Sequence, residues 1–305
     1  MYTFIINPNA RSGLGQKTWN ELEEILKERG VEYQAFFTKY QRHATQIVTD
    51  LTSDGEEHTI VALGGDGTVN EVVNGIKDLT RATLGYIPIG SSNDFARYFR
   101  LNLEPKQALE RILKPSGYSN MNIGVLEYQD KRKRFAVSSG IGFDAAVCHQ
   151  AVISRVKKFL NKLHLGKLTY VTIAIDRIIN LKPCTATITL DDNQKITYEG
   201  TFFIAGMNHP YQGGGFKFCP KANPCDDTLD VIVAAGFPKP KALIILPCAY
   251  KGAHTIFKGV YTYTCKKLEI ETSRPWPIHT DGEPVFLQKK ITLSLEPDKL
   301  RVITQ

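Results

Sequence analysis

The stretch from Thr59 to Asn70 narrows the fold more than any other. Thr59-Ile-Val-Ala-Leu63 carries no charge and runs directly into Gly64-Gly-Asp-Gly-Thr-Val-Asn70. A short strand without a polar face is buried on both sides, the habit of parallel sheets covered by helices. Three glycines let the following backbone turn sharply and come close to a ligand. A helix that opens just afterwards directs free N–H groups at that ligand, and phosphate oxygens suit them. Thr68 can cap this helix or bind phosphate, and Asp66 stands where a carboxylate would face a metal–phosphate complex. The alternative is a glycine turn with no ligand.

The neighbouring sequence predicts strands at Tyr2–Asn7, Val31–Thr38 and Thr83–Ile89. It predicts helices at Gln16–Arg29, Arg42–Leu51, Val69–Lys77, Asn93–Arg100 and Pro105–Leu113. Trp19, Leu22 and Leu26 share one face of the first helix, and Ala44, Ile47, Val48 and Leu51 one face of the second. This alternation implies a doubly wound α/β domain with its ligand at the carboxyl ends of the strands. Beyond residue 120 the pattern changes. Strands are expected at Phe135–Ser139, Thr185–Leu190, Lys195–Ala205, Leu229–Ala234, Lys267–Thr272 and Ile291–Leu295. Helices are expected near Val152–Leu163 and Leu168–Leu181. The turn-rich Pro115-Ser-Gly-Tyr-Ser119 divides the chain into an α/β domain, 1–120, and a mainly antiparallel β domain, 121–305.

Composition excludes several classes. With 305 residues, 42% of them apolar and 23% charged, the chain can bury a large core. A net charge of +7 favours anionic partners. No nucleic-acid module is recognisable, so nucleic acid is not an expected partner. The six cysteines show no zinc or redox spacing and read as reduced thiols of a cytoplasmic protein. The opening MYTFIINPNA lacks a basic leader with a long apolar run, so no secretory signal is expected. The longest apolar stretch, Ala242–Ala249, is interrupted by Pro247 and is too short to span a bilayer.

Two further loops leave parallel strands. Asn7-Pro-Asn-Ala-Arg-Ser-Gly-Leu-Gly15 has glycines and Ser12 suited to phosphate contact, although Asn-Pro and Ser-Gly also mark ordinary turns. Pro88-Ile-Gly-Ser-Ser-Asn-Asp-Phe-Ala-Arg97 brings Ser91, Asn93 and Asp94 to the same sheet edge, where helix capping is the competing role. Three loops converging on one crevice make a nucleotide site the stronger reading.

Together with Gly140-Ile-Gly-Phe-Asp144, Gly213-Gly-Gly-Phe216 through Asp230, and Asp281-Gly-Glu283, these segments resemble a known lipid kinase family. It includes bacterial diacylglycerol kinases, sphingosine kinases and ceramide kinases. The motifs run in family order over nearly the whole chain. The glycine–aspartate loop alone is shared with NAD kinases and phosphofructokinases.

The resemblance implies ATP-dependent phosphorylation of a membrane lipid hydroxyl, with diacylglycerol giving phosphatidic acid as the foremost case. It implies ATP contacts from Asn7, Pro8, Asn9, Ala10, Arg11, Thr38, Gly64, Gly65, Asp66, Gly67, Thr68, Val69, Asn70 and Ser91. It implies a Mg²⁺ ion held by Asn223, Asp226 and Thr228, and oxygen ligands suit that hard cation. Asp227 departs from the glycine usual in the family, and aspartate tolerates positive φ better than most residues. Within His279-Thr-Asp-Gly-Glu-Pro284, Glu283 is the leading catalytic base, Asp281 the next candidate and Asp66 a third central carboxylate. A bare Asp-Gly-Glu also reads as a hairpin turn. Asp144 suits either a metal-linked carboxylate network or a helix N-cap.

Ala151–Lys167 carries Arg155, Lys157, Lys158, Lys162 and Lys167 and no acid, beside apolar Val152, Val156, Phe159, Leu160 and Leu163. Such a helix can lie on an anionic bilayer or pack on its own domain. Lys131-Arg-Lys-Arg134 reads as a solvated hairpin turn. The expected partners are a membrane lipid and a peripheral anionic membrane surface, and a homodimer is compatible with the sequence. Two rival functions remain: a soluble kinase of the NAD kinase type, and a lipid or nucleotide binder that has lost activity.

Overall fold

A computed structural model describes residues 1–153 and 166–304. Most of the basic segment, Arg155 to Lys162, falls outside the described residues, so its membrane role receives no structural account.

The first sheet contains β1 (Tyr2–Ile6), β2 (Tyr33–Phe37), β3 (His58–Gly64), β4 (Ala82–Pro88) and β5 (Tyr118–Met121), joined by the last strand of the chain. β1 to β4 are mutually parallel in the order β2-β1-β3-β4. Their register aligns Phe37 with Ile6, Ile6 with Leu63, and Leu63 with Ile87, so all four strands end at one level. The loops that follow therefore meet at one edge.

Both faces are apolar because alternate residues point opposite ways. Phe4, Ile6, Val61, Leu63 and Ile87 pack under α1 (Leu14–Glu28) through Trp19, Leu22 and Leu26. On the opposite face Ile5, Ile60, Ala62 and Leu84 pack against α2 (His43–Leu51) and α3 (Asp66–Gly75) through Ala44, Val48, Val69, Val72 and Val73. The short α4 (Asp94–Tyr98) joins that second face through Phe95, and α5 (Pro105–Leu113) joins the first through Leu109 and Ile112. β1 feeds a helix on one face and β3 a helix on the other. The crevice between their ends is thus a topological switch point.

The second sheet is antiparallel. It contains β6 (Gly124–Tyr128), β7 (Lys131–Phe135), β8 (Ser138–Gly142), β9 (Cys184–Leu190) and β10 (Gln194–Met207). A small ribbon, β11 (Tyr211–Gln212) with β12 (Phe216–Lys217), follows. The sheet is completed by β13 (Leu229–Ala235), β14 (Val260–Cys265), β15 (Lys267–Thr280) and β16 (Glu283–Leu295). Helices α6 (Phe143–Ile153), α7 (Gly166–Asn180) and α8 (Lys239–Tyr250) belong to this half of the molecule. α7 and α8 contribute Ala174, Ile178, Ala242, Ile245 and Ala249 to the core they share with Phe202, Ile232 and Ala234 of β10 and β13. The final strand, β17 (Leu300–Ile303), returns to the first sheet and pairs parallel to β4 and antiparallel to β5. The first sheet thus draws on chain beyond residue 120 as well.

Two local expectations change, and one helix is added to those expected. The single strand at Phe135–Ser139 is two strands, broken at Ala136–Val137, because the amides of Ala136, Val137 and Ser138 all turn toward the Asp281 carboxylate. Lys131–Arg134 belongs to β7 rather than to a solvated turn. Arg132 and Arg134 both pair with the buried Glu296. The apolar stretch around Pro247 is helical, with Pro240 in the first turn, where a proline costs no hydrogen bond, and Pro247 inside. Among the described residues no helix is long and apolar enough to cross a membrane.

Candidate active site

The four loops at the sheet edge enclose a cavity of about 410 Å³. Asn7, Asn9, Ala10 and Arg11 line it after β1, Thr38 to Gln41 after β2, Gly65, Gly67, Thr68 and Glu71 after β3, and Gly90 after β4. The first loop is wound tightly: Arg11, Ser12 and Gly13 have φ of 47°, 62° and 93°. A hydrogen bond from Asn7 Nδ2 to Thr68 Oγ1 (3.5 Å) ties it to the glycine loop. Gly65 and Gly90 pack back to back, so a Cβ on Gly65 would lie 3.2 Å from Gly90 Cα. Side chains there would push the two loops apart.

One carboxylate reaches the cavity from the second sheet. Asp281 and Gly282, with φ of 48° and 81°, form the two-residue turn of the β15–β16 hairpin. Glu283 follows it on the cavity wall, where a Cβ on Gly67 would sit 3.2 Å from Glu283 Oε1. Gln41 Nε2 donates to Glu283 Oε2 at 3.2 Å. Burial, then the nearby Glu71 charge, raises the Glu283 carboxyl above its ordinary value, while Gln41 and Lys133 oppose this.

Asp281 has the opposite environment. Its Oδ1 accepts from the amides of Val137 (2.8 Å) and Ser138 (3.0 Å), and its Oδ2 from Ala136 N and Asn70 Nδ2 (both 2.8 Å). Burial pushes this carboxyl up and the four donors hold it back. Behind the turn, Gly282 N donates to His279 Nδ1 at 3.2 Å. His279 Nε2 therefore carries the hydrogen and donates to Asp144 Oδ2 at 2.8 Å, with both side chains buried. Asp144, in the first turn of α6, thus holds the hairpin through His279.

Comparison with known proteins agrees with this geometry. Residues 1–123 match the diacylglycerol kinase catalytic domain, and residues 137–304 match the YegS C-terminal NAD kinase beta sandwich-like domain. A Bacillus subtilis protein named "Putative lipid kinase YtlR" is 31% identical over 99% of this chain and 98% of its own. The chain belongs to the diacylglycerol kinase-like lipid kinases. A "Diacylglycerol kinase" of Mycobacterium tuberculosis is 27% identical over 88% of this chain and 84% of its own. The fold matches a crystal structure described as a "putative diacylglycerol kinase" from Bacillus anthracis, with TM-score 0.78 and 23% identity, over 100% of this chain and 96% of that one. It also matches an NAD kinase from Archaeoglobus fulgidus, at TM-score 0.56 and 12% identity, over 99% and 93% of the two chains. The protein is accordingly a kinase that phosphorylates an alcohol group.

In this lipid kinase the sequence-derived residues divide into two sets. Asn7, Asn9, Ala10, Arg11, Thr38, Gly65, Gly67, Thr68 and Glu283 line the cavity. Pro8 lies within the first loop and Ser91 follows Gly90 on the exposed side. Gly64 ends β3, with no room for a Cβ beside Thr68. Three side chains turn elsewhere. Val69 packs in the core at 1% exposed, and the Asn70 amide is spent on Asp281 and the Arg134 carbonyl. Asp66 turns toward α4, accepting from Phe95 N at 3.2 Å. Burial, then the Asp94 charge, raises its carboxyl to about 7. Asp94 in turn accepts from Gly214 N at 2.8 Å, which anchors the Gly213–Gly215 turn. Gln41 and Glu71 belong to none of the motifs, so nothing in the sequence marks them as cavity residues.

The proposed metal loop is exposed and rich in oxygen. Asp226 Oδ1 accepts from Thr228 N (3.1 Å) and Thr228 Oγ1 (2.7 Å), and Asn223 Oδ1 accepts from Tyr98 Oη (2.9 Å). Burial, then the Asp226 charge, raises the Asp230 carboxyl to about 6, a repulsion that a cation at Asp226 would relieve. Oxygen donors suit a hard cation such as Mg²⁺, but among the described residues no group of three or more His, Cys, Asp or Glu side chains is gathered around one. Asp227 has φ of 65°, the left-handed conformation a glycine would adopt there. Asn122 and Lys299 fix its side chain at 3.0 and 2.8 Å.

Proposed function

We propose that the protein transfers the γ-phosphate of ATP to the hydroxyl of a membrane lipid, with diacylglycerol as acceptor and phosphatidic acid as product. The observation that carries this is the position of Glu283: a half-buried carboxylate from one sheet, set against the phosphate-type glycine loop of the other. ATP lies in the cavity, its phosphates against the backbone of Asn7 to Arg11 and Gly64 to Thr68, with Thr38 and Ser91 at the margins. Glu283 accepts the proton of the acceptor hydroxyl. The hydroxyl oxygen bonds to the γ-phosphorus, the bond to the bridging β–γ oxygen breaks, and ADP leaves. Such a transfer needs chiefly positioning, charge neutralisation and a base.

Asp281 is a positioning residue in this scheme, because its acceptor capacity is taken by four donors. Asp66 and Asp94 form a carboxylate pair beneath the loop. Mg²⁺ accompanies ATP as its complex. Asn223, Asp226 and Thr228 would hold a second, resident Mg²⁺, which would supply charge neutralisation to the loop ahead of β13. Residues 1–120 act as the nucleotide unit and 121–305 as the lipid and metal unit. The protein works at the cytoplasmic face of a membrane as a peripheral enzyme.

The test offers diacylglycerol, sphingosine and NAD separately, with γ-labelled ATP, and extracts the products. Label in phosphatidic acid is expected. Label in NADP alone would replace this reading with the soluble-kinase one.

A further inference from the structure

We propose that the outward face of α8, with Ile256 beside it, docks the protein on an anionic bilayer. The proposal rests on the reading above only in that a lipid acceptor requires a membrane contact.

α8 is apolar on two sides. Ala242, Ile245 and Ala249 face the core, as an amphipathic helix requires. The opposite side should then be polar, yet it presents Leu243, Ile244, Pro247 and Tyr250. Ile244 is 60% exposed and Tyr250 54%. Ile256, in the turn that follows, is 82% exposed. Ile175 and Ile179 on the neighbouring α7 are also exposed, and Lys239 Nζ donates to the Ile179 carbonyl, which joins the two helices into one surface. Contiguous exposed apolar patches of this kind mark interaction sites.

Charge identifies the occupant. No acidic residue occurs between Asp230 and Glu269, while Lys239, Lys241, Lys251, Lys258, Lys266 and Lys267 do. Lys239 and Lys241 lie in the first turn of the helix, Lys251 caps its end, and Lys241 Nζ donates to the Lys258 carbonyl at 2.8 Å, so these four cations rim the helix and its turn, while Lys267 pairs with Asp192 and Glu269 elsewhere. α8 and the turn after it carry no acid, and Asp176 on α7 is paired with Arg177; such lysine-rimmed apolar faces lie at the interface of anionic membranes, with the apolar side chains below the headgroups. Lysine is depleted at protein–protein interfaces relative to the rest of the surface, so a lysine-rimmed face fits lipid headgroups better than a protein partner.

The experiment pellets the full chain with vesicles of phosphatidylcholine, with and without phosphatidylglycerol. L243E/I244E places two carboxylates on the face without touching the core. K251Q/K258Q removes rim charge and leaves the apolar residues in place. The parent should pellet with the anionic vesicles and lose binding as salt rises. L243E/I244E should lower the bound fraction by about tenfold or more, and K251Q/K258Q should weaken binding and flatten its salt dependence. L243F/I244F should retain binding, and turnover of a short-chain diacylglycerol dissolved in water should be unchanged in all three variants. Vesicle binding equal to the parent's in L243E/I244E and K251Q/K258Q would overturn the proposal. So would a change of oligomeric state in L243E/I244E with vesicle binding intact, which would make the face a contact between copies of the chain. Pelleting needs no ATP. A protein that binds through α8 but phosphorylates no lipid would sink the kinase reading alone, and lipid turnover with α8-independent pelleting would sink this proposal alone.

Discussion

Asp281→Asn separates the two acids of the hairpin. Asparagine tolerates the φ of 48° at this position much as aspartate does, so the backbone gains no strain. Its single oxygen can replace one carboxylate oxygen and satisfy two of the four donors. Its NH₂ group then faces two donors that have lost their acceptor, Ala136 N with Asn70 Nδ2 or Val137 N with Ser138 N. A buried donor left unsatisfied costs about 1–3 kcal/mol. Two of them make a loss of about 2–6 kcal/mol, a large share of the roughly 5–15 kcal/mol by which a domain is stable. Glu283→Gln should behave differently. It removes a base that accepts a hydrogen bond from Gln41 on the chain, so stability should change little while turnover falls by about 10²–10⁴-fold. Urea unfolding reads the first effect. Trp276 lies in β15, and Trp19→Phe leaves it as the sole tryptophan reporter of the second sheet. A change below about 0.5 kcal/mol for Asp281→Asn, the size of an ordinary surface substitution, would refute the clamp.

Three other perturbations follow from the same geometry. Gly65→Val should abolish ATP binding, measured calorimetrically, in a protein whose circular dichroism is intact, because its Cβ would sit 3.2 Å from Gly90 Cα. The Asp66 carboxyl stands at about 7 when folded against 3.8 as its ordinary value, so the folded state holds the extra proton. Its stabilising contribution is complete below about pH 4 and is lost as pH rises through about 7. Asp66→Asn should therefore raise the thermal midpoint relative to the parent by more at pH 8 than at pH 5, and an equal shift at both would contradict this. Adding Mg²⁺ to nucleotide-free protein should raise the thermal midpoint of the parent but not of Asp226→Asn. An equal response in both would remove Asp226 from the metal site.

Much of the first sheet was legible because its signals are local. The charge-free run at Thr59–Leu63 and the glycines after it dictate a buried strand and a close backbone approach, and β3 and α3 follow. The second sheet was harder, since its pairings join residues far apart in sequence. β7 reads Lys-Arg-Lys-Arg-Phe and becomes a strand only because Glu296, distant in sequence, receives two of its arginines. The break at Ala136–Val137 depends on Asp281, and α8 hides behind Pro240 and Pro247. At the site, the glycines and carboxylates were visible as motifs, but their division of labour was not. Asp281 and Glu283 are two residues apart and look equivalent in sequence. Only the fold shows one surrounded by donors and the other facing the cavity.

Glu283 in this scheme activates a lipid hydroxyl for attack on the γ-phosphate of ATP in the cavity. A single-turnover reaction with γ-labelled ATP and diacylglycerol in mixed micelles puts this role to the test. The parent should move label into the organic-extractable phospholipid at a rate that rises as pH passes a point above the ordinary glutamate range. Glu283→Gln should bind ATP as the parent does and transfer about a hundredth of the label or less in the same time. Equal transfer by the two proteins, or no labelled lipid from the parent under any condition that permits ATP binding, would contradict the account.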